Sequence, residues 1–311
     1  MALEIKKLDG SETEISIEVP AEEFEKIYNE VFKEAIKGVS LEGFRPGKVP
    51  EDLAKKNIDE ENILKKAAEA AIRKSYFPVL MEKKIEAIGR PFVTITKIAK
   101  GDSFCFKVRT AVLPQIILPD YRKIAKDIRA KEEEVPTPEG QDPDATGRSV
   151  GEKTIEEIKK RQKRQLDMLE AISAGSKMEI PEILVLAEKE KMLAELKSSI
   201  ENMGMSWADY LVHLKKSDLS TESPACRQAG LAKAEDDLRK DWQEDAMRRV
   251  KYGLILRELA EKENIQVEEK ELESRVNEIL KQGPKIDKGY LRGYTYGILR
   301  NEKVFKFLEN I

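Results

Sequence analysis

The first twenty residues, MALEIKKLDGSETEISIEVP, contain the pattern that decides the fold of the N-terminal part of the chain. Apolar and polar residues alternate on both sides of the turn Asp9-Gly10-Ser11, which is the period of two of a β-strand. Two such runs joined by a short turn with glycine predict an antiparallel hairpin. Pro20 then predicts the start of a helix, because proline is favoured at the first helical position.

The following sequence changes to a helical period and then returns to strands. The predicted first helix carries an apolar stripe and ends near Gly38, and a second helical stretch covers about residues 51–80. Two further strands are predicted at residues 92–96 and 104–108. We therefore expect an α+β domain over residues 1–112, in which antiparallel strands pack against two long helices.

The next segment is predicted to be an extended linker over residues 113–150. Pro114 and Pro119 favour an extended backbone, because the residue before a proline avoids the helical region. Residues 131–150 are rich in Pro, Gly, Asp and Glu and have few large apolar side chains, which is typical of a flexible connector.

Residues 151–311 have a helical period and predict an elongated all-α domain with arm-like helices. An apolar stripe from Leu231 to about Glu263 predicts a single helix, roughly 50 Å long at the usual rise per residue. Small and polar residues at about 217–230 predict a surface loop. The last two helices are expected at about 267–281 and 287–309.

The composition narrows the classes of function. Lys and Arg number 56 against 59 Asp and Glu, so the whole chain has no positive excess that would drive it onto nucleic acid. Cys105 and Cys226 lie far apart, and the single histidine, His213, has no neighbours at catalytic or metal-ligand spacing. We expect no catalytic residue, no metal and no cofactor. Without a signal peptide or an apolar run long enough to span a membrane, we expect a cytoplasmic protein that does not contact the membrane.

Between the two predicted helices of the first domain lies Gly43–Pro50, GFRPGKVP. Three residues separate its two glycines and a valine follows its lysine, whereas a P-loop has four residues between the glycines and a Ser or Thr after the lysine, so a nucleotide site is not expected. Phe44 beside Arg45 has the composition of a binding hot spot, on a turn that Pro46 stiffens and Gly47 permits. The alternative is an ordinary helix-connecting turn whose Phe44 folds back on the domain.

In this position GFRPGKVP resembles the ribosome-docking motif of bacterial trigger factors. The stretch VLPQIILPDYRKI resembles the end of that family's docking domain, and IPEILVLAEKEKML and AMRRVKYGLILRELAEKENIQVEEKEL resemble its helical substrate-cradling domain. The resemblance covers nearly all of the chain outside residues 131–150 and about 217–230. It implies an ATP-independent ribosome-associated chaperone that docks at the exit tunnel and shields nascent polypeptides during folding.

The resemblance also implies the docking residues and one missing activity. The loop would contact a ribosomal protein at the tunnel exit and nearby ribosomal RNA through Gly43, Phe44, Arg45, Pro46, Gly47 and Lys48. Some family members have lysine in place of this proline, so the tip here carries one positive charge fewer. The family usually inserts an FK506-binding-type isomerase domain where this chain has only residues 131–150, so we expect no prolyl isomerase activity.

Flexible and polarisable side chains suit a surface that accepts many unfolded sequences, and six of the eight methionines lie in the helical half. Core filling explains these methionines equally well. The candidates for a substrate cradle are Met168, Met192, Met203, Met205, Trp242, Met247, Tyr290 and Tyr294.

Two other functions stay open from the sequence. One is a peptidyl-prolyl cis-trans isomerase, which the family label suggests, and the other is a ribosome- or RNA-binding module without chaperone activity. The second would use the basic run Lys159–Arg164, although a solvated helix face balanced by nearby carboxylates is the favoured interpretation. The free protein either stays monomeric or forms a homodimer.

Overall fold

The structure is a computed structural model of the 311-residue chain and describes residues 2–38, 53, 59–133, 150–215, 224–282 and 287–311. The chain forms two compact units, neither of which is a single stretch of sequence. Unit 1 consists of residues 1–114 and 180–239, and unit 2 consists of residues 115–179 and 240–311. The chain therefore passes between the two units three times.

Unit 1 contains a four-stranded antiparallel sheet in the order β1-β2-β4-β3. Its strands are β1 (Ala2–Leu8), β2 (Glu12–Val19), β3 (Ala87–Lys97) and β4 (Phe104–Val112). The hairpin predicted from the first twenty residues is present, with Leu3 opposite Ile17 and Ile5 opposite Ile15. The alternating pattern of the sequence thus predicted the two strands of the hairpin correctly, whereas β3 begins five residues before its predicted start.

Two helices, α1 (Ala21–Gly38) and α2 (Glu60–Glu82), cover the inner face of this sheet. The ring of Phe24 stacks on that of Phe104 with centroids 4.8 Å apart, and Phe104 stacks on Phe106 at 5.1 Å. Asp59 caps α2 by accepting a hydrogen bond from Glu61 N at 3.0 Å. The α+β prediction for the N-terminal region is therefore confirmed.

The other elements in the described residues are helices, apart from an isolated bridge between Ile117 and Lys177, which confirms the all-α prediction for the rest of the chain. These helices are α3 (Tyr121–Glu133), α4 (Val150–Gly175), α5 (Glu182–Asn202), α6 (Trp207–Lys215), α7 (Pro224–Asp241), α8 (Gln243–Lys262), α9 (Glu269–Gln282) and α10 (Lys288–Glu309). None of the helices in the described ranges is long and apolar enough to cross a membrane.

Helices α5, α6 and most of α7 belong to unit 1. The start of α5 lies against β3 and β4, where Glu12, Ala111 and Ile88 stand side by side across three strands and are all buried. The Glu235 carboxylate of α7 accepts hydrogen bonds from Lys197 of α5, at 2.9 Å, and from the indole of Trp207 of α6. The Glu235 carboxylate thus links α5, α6 and α7.

Unit 2 has an apolar core to which α3, α4, α8 and α10 contribute. Met168 and Ile172 of α4 are fully buried there together with Leu259 of α8 and Leu308 of α10. On α4, Arg161 pairs with Glu309 at 2.8 Å, so one member of the predicted basic run is bound to a carboxylate of the same unit.

The predicted linker is wrong in part, because residues 121–133 form helix α3 rather than an extended segment. Asp120, which follows Pro119, accepts a hydrogen bond from Lys123 N at 3.1 Å and so stabilises the start of the helix. Tyr121 and Ala125 are buried in the core of unit 2, and this burial favours a helix that the polar composition alone did not predict. Residues 134–149 lie outside the described residues.

Two further predictions for the C-terminal region are wrong in detail. The expected 50 Å helix is two helices, because α7 ends at Asp241 and α8 begins at Gln243. The intervening Trp242 has φ −83° and ψ 6°, and its side chain makes no capping hydrogen bond. Residues 224–230, expected in a loop, are the first residues of α7. An unbroken apolar stripe does not exclude such a break, since both helices keep the same period.

The division of the chain also differs from the predicted one. The sequence predicts a single helical domain over residues 151–311, whereas residues 180–239 form one compact unit with the sheet. The physical reason is the contact of the first turn of α5 with β2, β3 and β4, which joins residues that are far apart in sequence.

Candidate functional site

An apolar groove of about 480 Å³ lies in unit 1 between helix α5 and the outer face of the sheet. Phe92 stands directly opposite Arg109 on the neighbouring strand, and both side chains lie on this outer face because Val93 and Val108 take the inner one. The strands contribute Arg90, Pro91, Phe92 and Arg109. The helices contribute Ile183, Leu186, Ala187, Lys189, Glu190 and Arg239. We call this feature the α5 groove.

A buried carboxylate fixes the position of α5 on the sheet. Glu12 is 2% exposed, and its Oε1 accepts a hydrogen bond from Ile183 N at 2.9 Å, while its Oε2 accepts one from Arg109 Nε. Arg109 Nη2 also donates to Glu182 Oε2 at 3.2 Å. A carboxylate at a helix N-terminus satisfies a free backbone N–H and interacts favourably with the helix dipole. Glu12 therefore determines where α5 begins on the sheet.

The contact with Glu12 also changes the pKa of Arg109. The hydrogen bond to Glu12 raises the pKa of the Arg109 guanidinium, although burial opposes this effect. Arg109 thus stays charged and keeps its planar donors directed at two carboxylates, as arginine geometry favours.

Gly89 permits the close approach of α5 to β3. Its φ of +71° lies in the left-handed region that favours glycine, in a part of β3 where the register with β4 shifts. A Cβ added at this position would lie 2.5 Å from Leu184 Cδ2, which is closer than side chains approach each other. The missing side chain therefore leaves the space that Leu184 occupies.

The α5 groove exposes large apolar side chains next to charged ones. Phe92 is 63% exposed and Leu186 is 50% exposed, whereas Ile183 is buried. At the rim, Arg239 Nε donates to Glu190 Oε1 at 2.6 Å and Arg239 Nη1 donates to Asp236 Oδ1 at 3.1 Å. Its bond to Glu190 raises the pKa of Arg239. The groove can therefore bury an apolar side chain of another molecule beneath a charged rim.

Within the described ranges, no three side chains of His, Cys, Asp or Glu lie close enough together to hold a metal ion. Around the α5 groove, apolar area and paired charges surround an open volume.

Two protein-family models match this chain. The model for bacterial trigger factor protein matches residues 1–139, and the model for the trigger factor C-terminus matches residues 148–292. The chain belongs to the trigger factor family. The resemblance expected from the sequence motifs is therefore confirmed at the level of the family.

Several curated trigger factors are similar to the N-terminal part of this chain. The trigger factor of Bacillus pumilus is 34% identical over 122 residues, which are 39% of this chain and 29% of the relative. That of Geobacillus thermodenitrificans is 34% identical over 122 residues, 39% of this chain and 28% of the relative. That of Nocardia farcinica is 31% identical over 126 residues, which are 40% of this chain and 27% of the relative. The chain thus spans less than a third of the length of the curated relatives it matches.

One solved structure covers the whole chain. It concerns promiscuous substrate recognition in the folding and assembly activities of the trigger factor chaperone, and it is 13% identical to this chain. The alignment covers 100% of this chain and 99% of that one, with a TM-score of 0.49.

The trigger factor docking motif lies outside the described residues. This applies to all six predicted docking residues, Gly43, Phe44, Arg45, Pro46, Gly47 and Lys48. Their role stays a prediction that rests on the family motif.

The predicted cradle residues are divided between the two units. Met192, Met203 and Met205 belong to unit 1, whereas Met168, Trp242, Met247, Tyr290 and Tyr294 belong to unit 2. Exposed side chains are those of Met203, Met205, Met247, Tyr290 and Tyr294, and Trp242 is partly buried.

Met168 is a wrong candidate for the cradle. Its side chain is fully buried in the core of unit 2, so it cannot contact a client, and core filling is the correct explanation for it. Met192 is also buried and packs inside unit 1.

The sequence patterns do not single out the residues that form the α5 groove. The patterns predict Phe92 only as part of a strand, and Leu186 only as part of a helix. One usable signal was Lys189, a charged residue four positions after Val185 and three before Met192, within an otherwise apolar stripe. The role of Glu12 had no local signal, because its partner Ile183 N lies 171 residues away.

Proposed function

We propose that this trigger factor family member is an ATP-independent chaperone that binds at the ribosomal exit tunnel and shields nascent polypeptides during folding. Membership of the family supports a chaperone role. The observation that carries the proposal is the α5 groove, where Phe92 and Leu186 are exposed at the mouth of an apolar volume. Contiguous exposed apolar surface of this kind marks a binding site.

Binding in the groove would be weak and tolerant of sequence. Full burial of a Leu or Phe side chain contributes about 1.5–3 kcal/mol, so a client held by one or two such contacts dissociates readily. Release needs no nucleotide, because a client that folds buries the same side chains in its own core. The proposed partners are unfolded polypeptides in the cytoplasm, without a cofactor or a membrane.

Suppression of aggregation tests this proposal. A denatured model protein is diluted with the chain in stoichiometric excess, and light scattering is followed. We expect wild type to suppress scattering and Phe92→Ser/Leu186→Ser to lose most of this effect, because the groove loses its apolar surface.

The matched control is Phe77→Ser. Phe77 is 59% exposed in the same unit, but it lies on α2 outside the groove, so this variant should retain suppression. Equal suppression by wild type and the double groove variant would exclude the groove, and no suppression by wild type would count against a chaperone.

Ribosome docking is proposed for the loop Gly43–Lys48, with a ribosomal protein and adjacent RNA as partners. In co-sedimentation with bacterial ribosomes at near-physiological salt, we expect wild type to pellet and Phe44→Ala/Arg45→Ala to stay in solution. Loss of the aromatic anchor and the guanidinium would remove the two hot-spot side chains of the motif. Equal pelleting of both proteins would contradict the loop assignment.

We propose that the chain has no prolyl isomerase activity. The two family models leave only residues 140–147 between their matches, which is far too few for a domain core. A proline-peptide assay that shows no rate acceleration is the expected outcome. The pairing of Arg161 of the basic run with Glu309 argues against an RNA-binding module, because this guanidinium already has a carboxylate partner.

A further inference from the structure

We propose that the α5 groove selects extended client segments that carry an acidic residue two positions from a large apolar residue, with Lys189 as the residue that binds the carboxylate. This inference rests on the proposed chaperone function and specifies the class of segment that the groove accepts.

Lys189 occupies a position at which the helix is otherwise apolar. Val185, Met192 and Leu193 precede and follow it at helical spacing, and all three are buried. Lys189 itself is only 8% exposed and lines the α5 groove. A lysine in such a position buries its methylene stem and keeps its ammonium at the nearest open volume, which here is the groove.

The other cations of the groove already have partners. Arg109 is bound by Glu12 and Glu182, and Arg239 is bound by Glu190 and Asp236. Arg90 also has an interaction partner. By contrast, no residue in the described part of the chain forms a hydrogen bond or an ion pair with Lys189.

The neighbouring Lys191 shows what is unusual about Lys189. Its side chain is 55% exposed and its ammonium lies 3.8 Å from both Glu188 and Glu195 on the same helix. Lys191 is therefore a solvated, paired surface lysine, whereas Lys189 is a mostly buried residue whose ammonium has no partner among the described residues. A client that covers this ammonium without pairing it would bury an unpaired charge at a cost, so the groove is complementary to an anion.

The apolar and charged parts of the groove are spaced so that they can bind two side chains of the same client. Leu186 and Lys189 are three residues apart on α5, so they are neighbours on the helix surface, roughly 5–6 Å apart at their Cβ atoms. In an extended chain, side chains two residues apart lie on the same side, with about 6.6–6.8 Å between them. An apolar residue against Phe92 and Leu186 thus places a carboxylate two residues away beside Lys189.

The same geometry predicts what the groove rejects. A purely apolar segment would cover the ammonium of Lys189 without pairing it, and a basic residue at the same position would add repulsion between like charges. Selectivity comes as much from this penalty as from the attraction to the acid.

Binding of matched peptides tests the inference on the full chain. Three labelled peptides of Gly and Ser carry a Leu-Phe anchor and, two residues after the Phe, a Glu, a Gln or a Lys. Dissociation constants are measured by fluorescence anisotropy at low salt. We expect the Glu peptide to bind about tenfold more tightly than the Gln peptide, because one hydrogen-bonded charge pair is gained, and the Lys peptide to bind most weakly.

Two variants assign this preference to one residue. Lys189→Met keeps a long apolar side chain without the charge and should bind the Glu and Gln peptides equally. Lys191→Met, two residues along the same helix, should keep the wild-type preference. The preference in wild type should also shrink as salt is raised, because ions screen the pair. Should Lys189→Met fail to fold, as judged by circular dichroism, the wild-type peptide series and its salt dependence decide the question.

The possible results separate the inference from the proposed function. If wild type binds the Glu and Gln peptides equally, while Phe92→Ser/Leu186→Ser weakens both, the groove binds clients but Lys189 does not select them, and the inference is overturned. If the double variant binds all peptides as wild type does, clients bind elsewhere and both proposals fail. A preference that persists in Lys189→Met would also overturn the inference.

Discussion

The two units of this trigger factor family member both use a carboxylate to join separate elements, but in surroundings of different burial. In unit 1, Glu12 joins β2 to the first turn of α5, and its side chain is 1% exposed. In unit 2, Glu263, which follows α8, binds Arg122 and Tyr121 of α3, and its side chain is 13% exposed. Glu309 binds Arg161 of α4, and its side chain is 14% exposed. In each unit a carboxylate holds together elements that are far apart in sequence.

The difference in burial decides what each carboxylate contributes. Water cannot replace the partners of Glu12, so removing this side chain leaves a backbone N–H without a partner and a half-buried arginine one carboxylate short. The guanidinium of Arg122 is more than half exposed, so water can solvate it when its partner is lost. We therefore expect unit 1 to depend on one ion cluster far more than unit 2 depends on either of its pairs.

The largest expected effect is that of Glu12→Ala. Because it breaks a buried charge pair, we expect the free energy of unfolding to fall by about 3–5 kcal/mol in urea titrations. The control is Glu14→Ala on the same strand, where the carboxylate pairs with Lys107 at 3.2 Å and is 30% exposed. That variant should lose no more than about 1 kcal/mol. Similar losses in both variants would contradict the dominance of burial.

A smaller loss of stability is expected for a substitution at Gly89, which tests the close packing of α5 on β3 rather than the ion cluster of Glu12. Gly89→Ala combines a left-handed backbone with a Cβ that meets Leu184, and we expect a loss of about 2–4 kcal/mol. Gly101→Ala is the matched control, because Gly101 has φ +78° but an added Cβ meets nothing within 4 Å. Its loss should be about 1–2 kcal/mol, from the backbone alone. In the Gly89→Ala background, Leu184→Ala should recover part of the difference, and no recovery would exclude a clash with Leu184.

The smallest expected effect is a pH dependence in unit 2. The hydrogen bonds from Arg122 and Tyr121 lower the pKa of Glu263 below its usual value. The stabilisation is therefore present above the unfolded-state pKa and is lost as the pH falls through the folded-state pKa. Arg122→Gln should thus lower the urea midpoint of unit 2 at pH 7 and have a smaller effect at pH 3, where more of the Glu263 carboxyl is protonated. An equal shift at both pH values would show that Arg122 acts through packing.

Local sequence patterns predicted the helices and strands better than they predicted how these elements pack together. The hairpin followed from alternation around Gly10, and the last two helices followed from their period, because both signals lie within the element itself. The turn at Trp242 and the helix after Pro119 were missed, since tertiary burial decided them. The α5 groove depends on Glu12, Gly89 and Ile183, residues whose contacts no short window of sequence contains.

The order of the segments along the chain has a consequence for the folding of this protein during its own synthesis. Residues 1–114 emerge during synthesis well before residues 180–239, which complete the same unit. Until then the sheet can cover its inner face with α1 and α2, but Ala111 and Ile88 stay open to water and Glu12 lacks the amide of Ile183. A molecule of this protein is therefore, for part of its own translation, the kind of incomplete chain that we propose it protects.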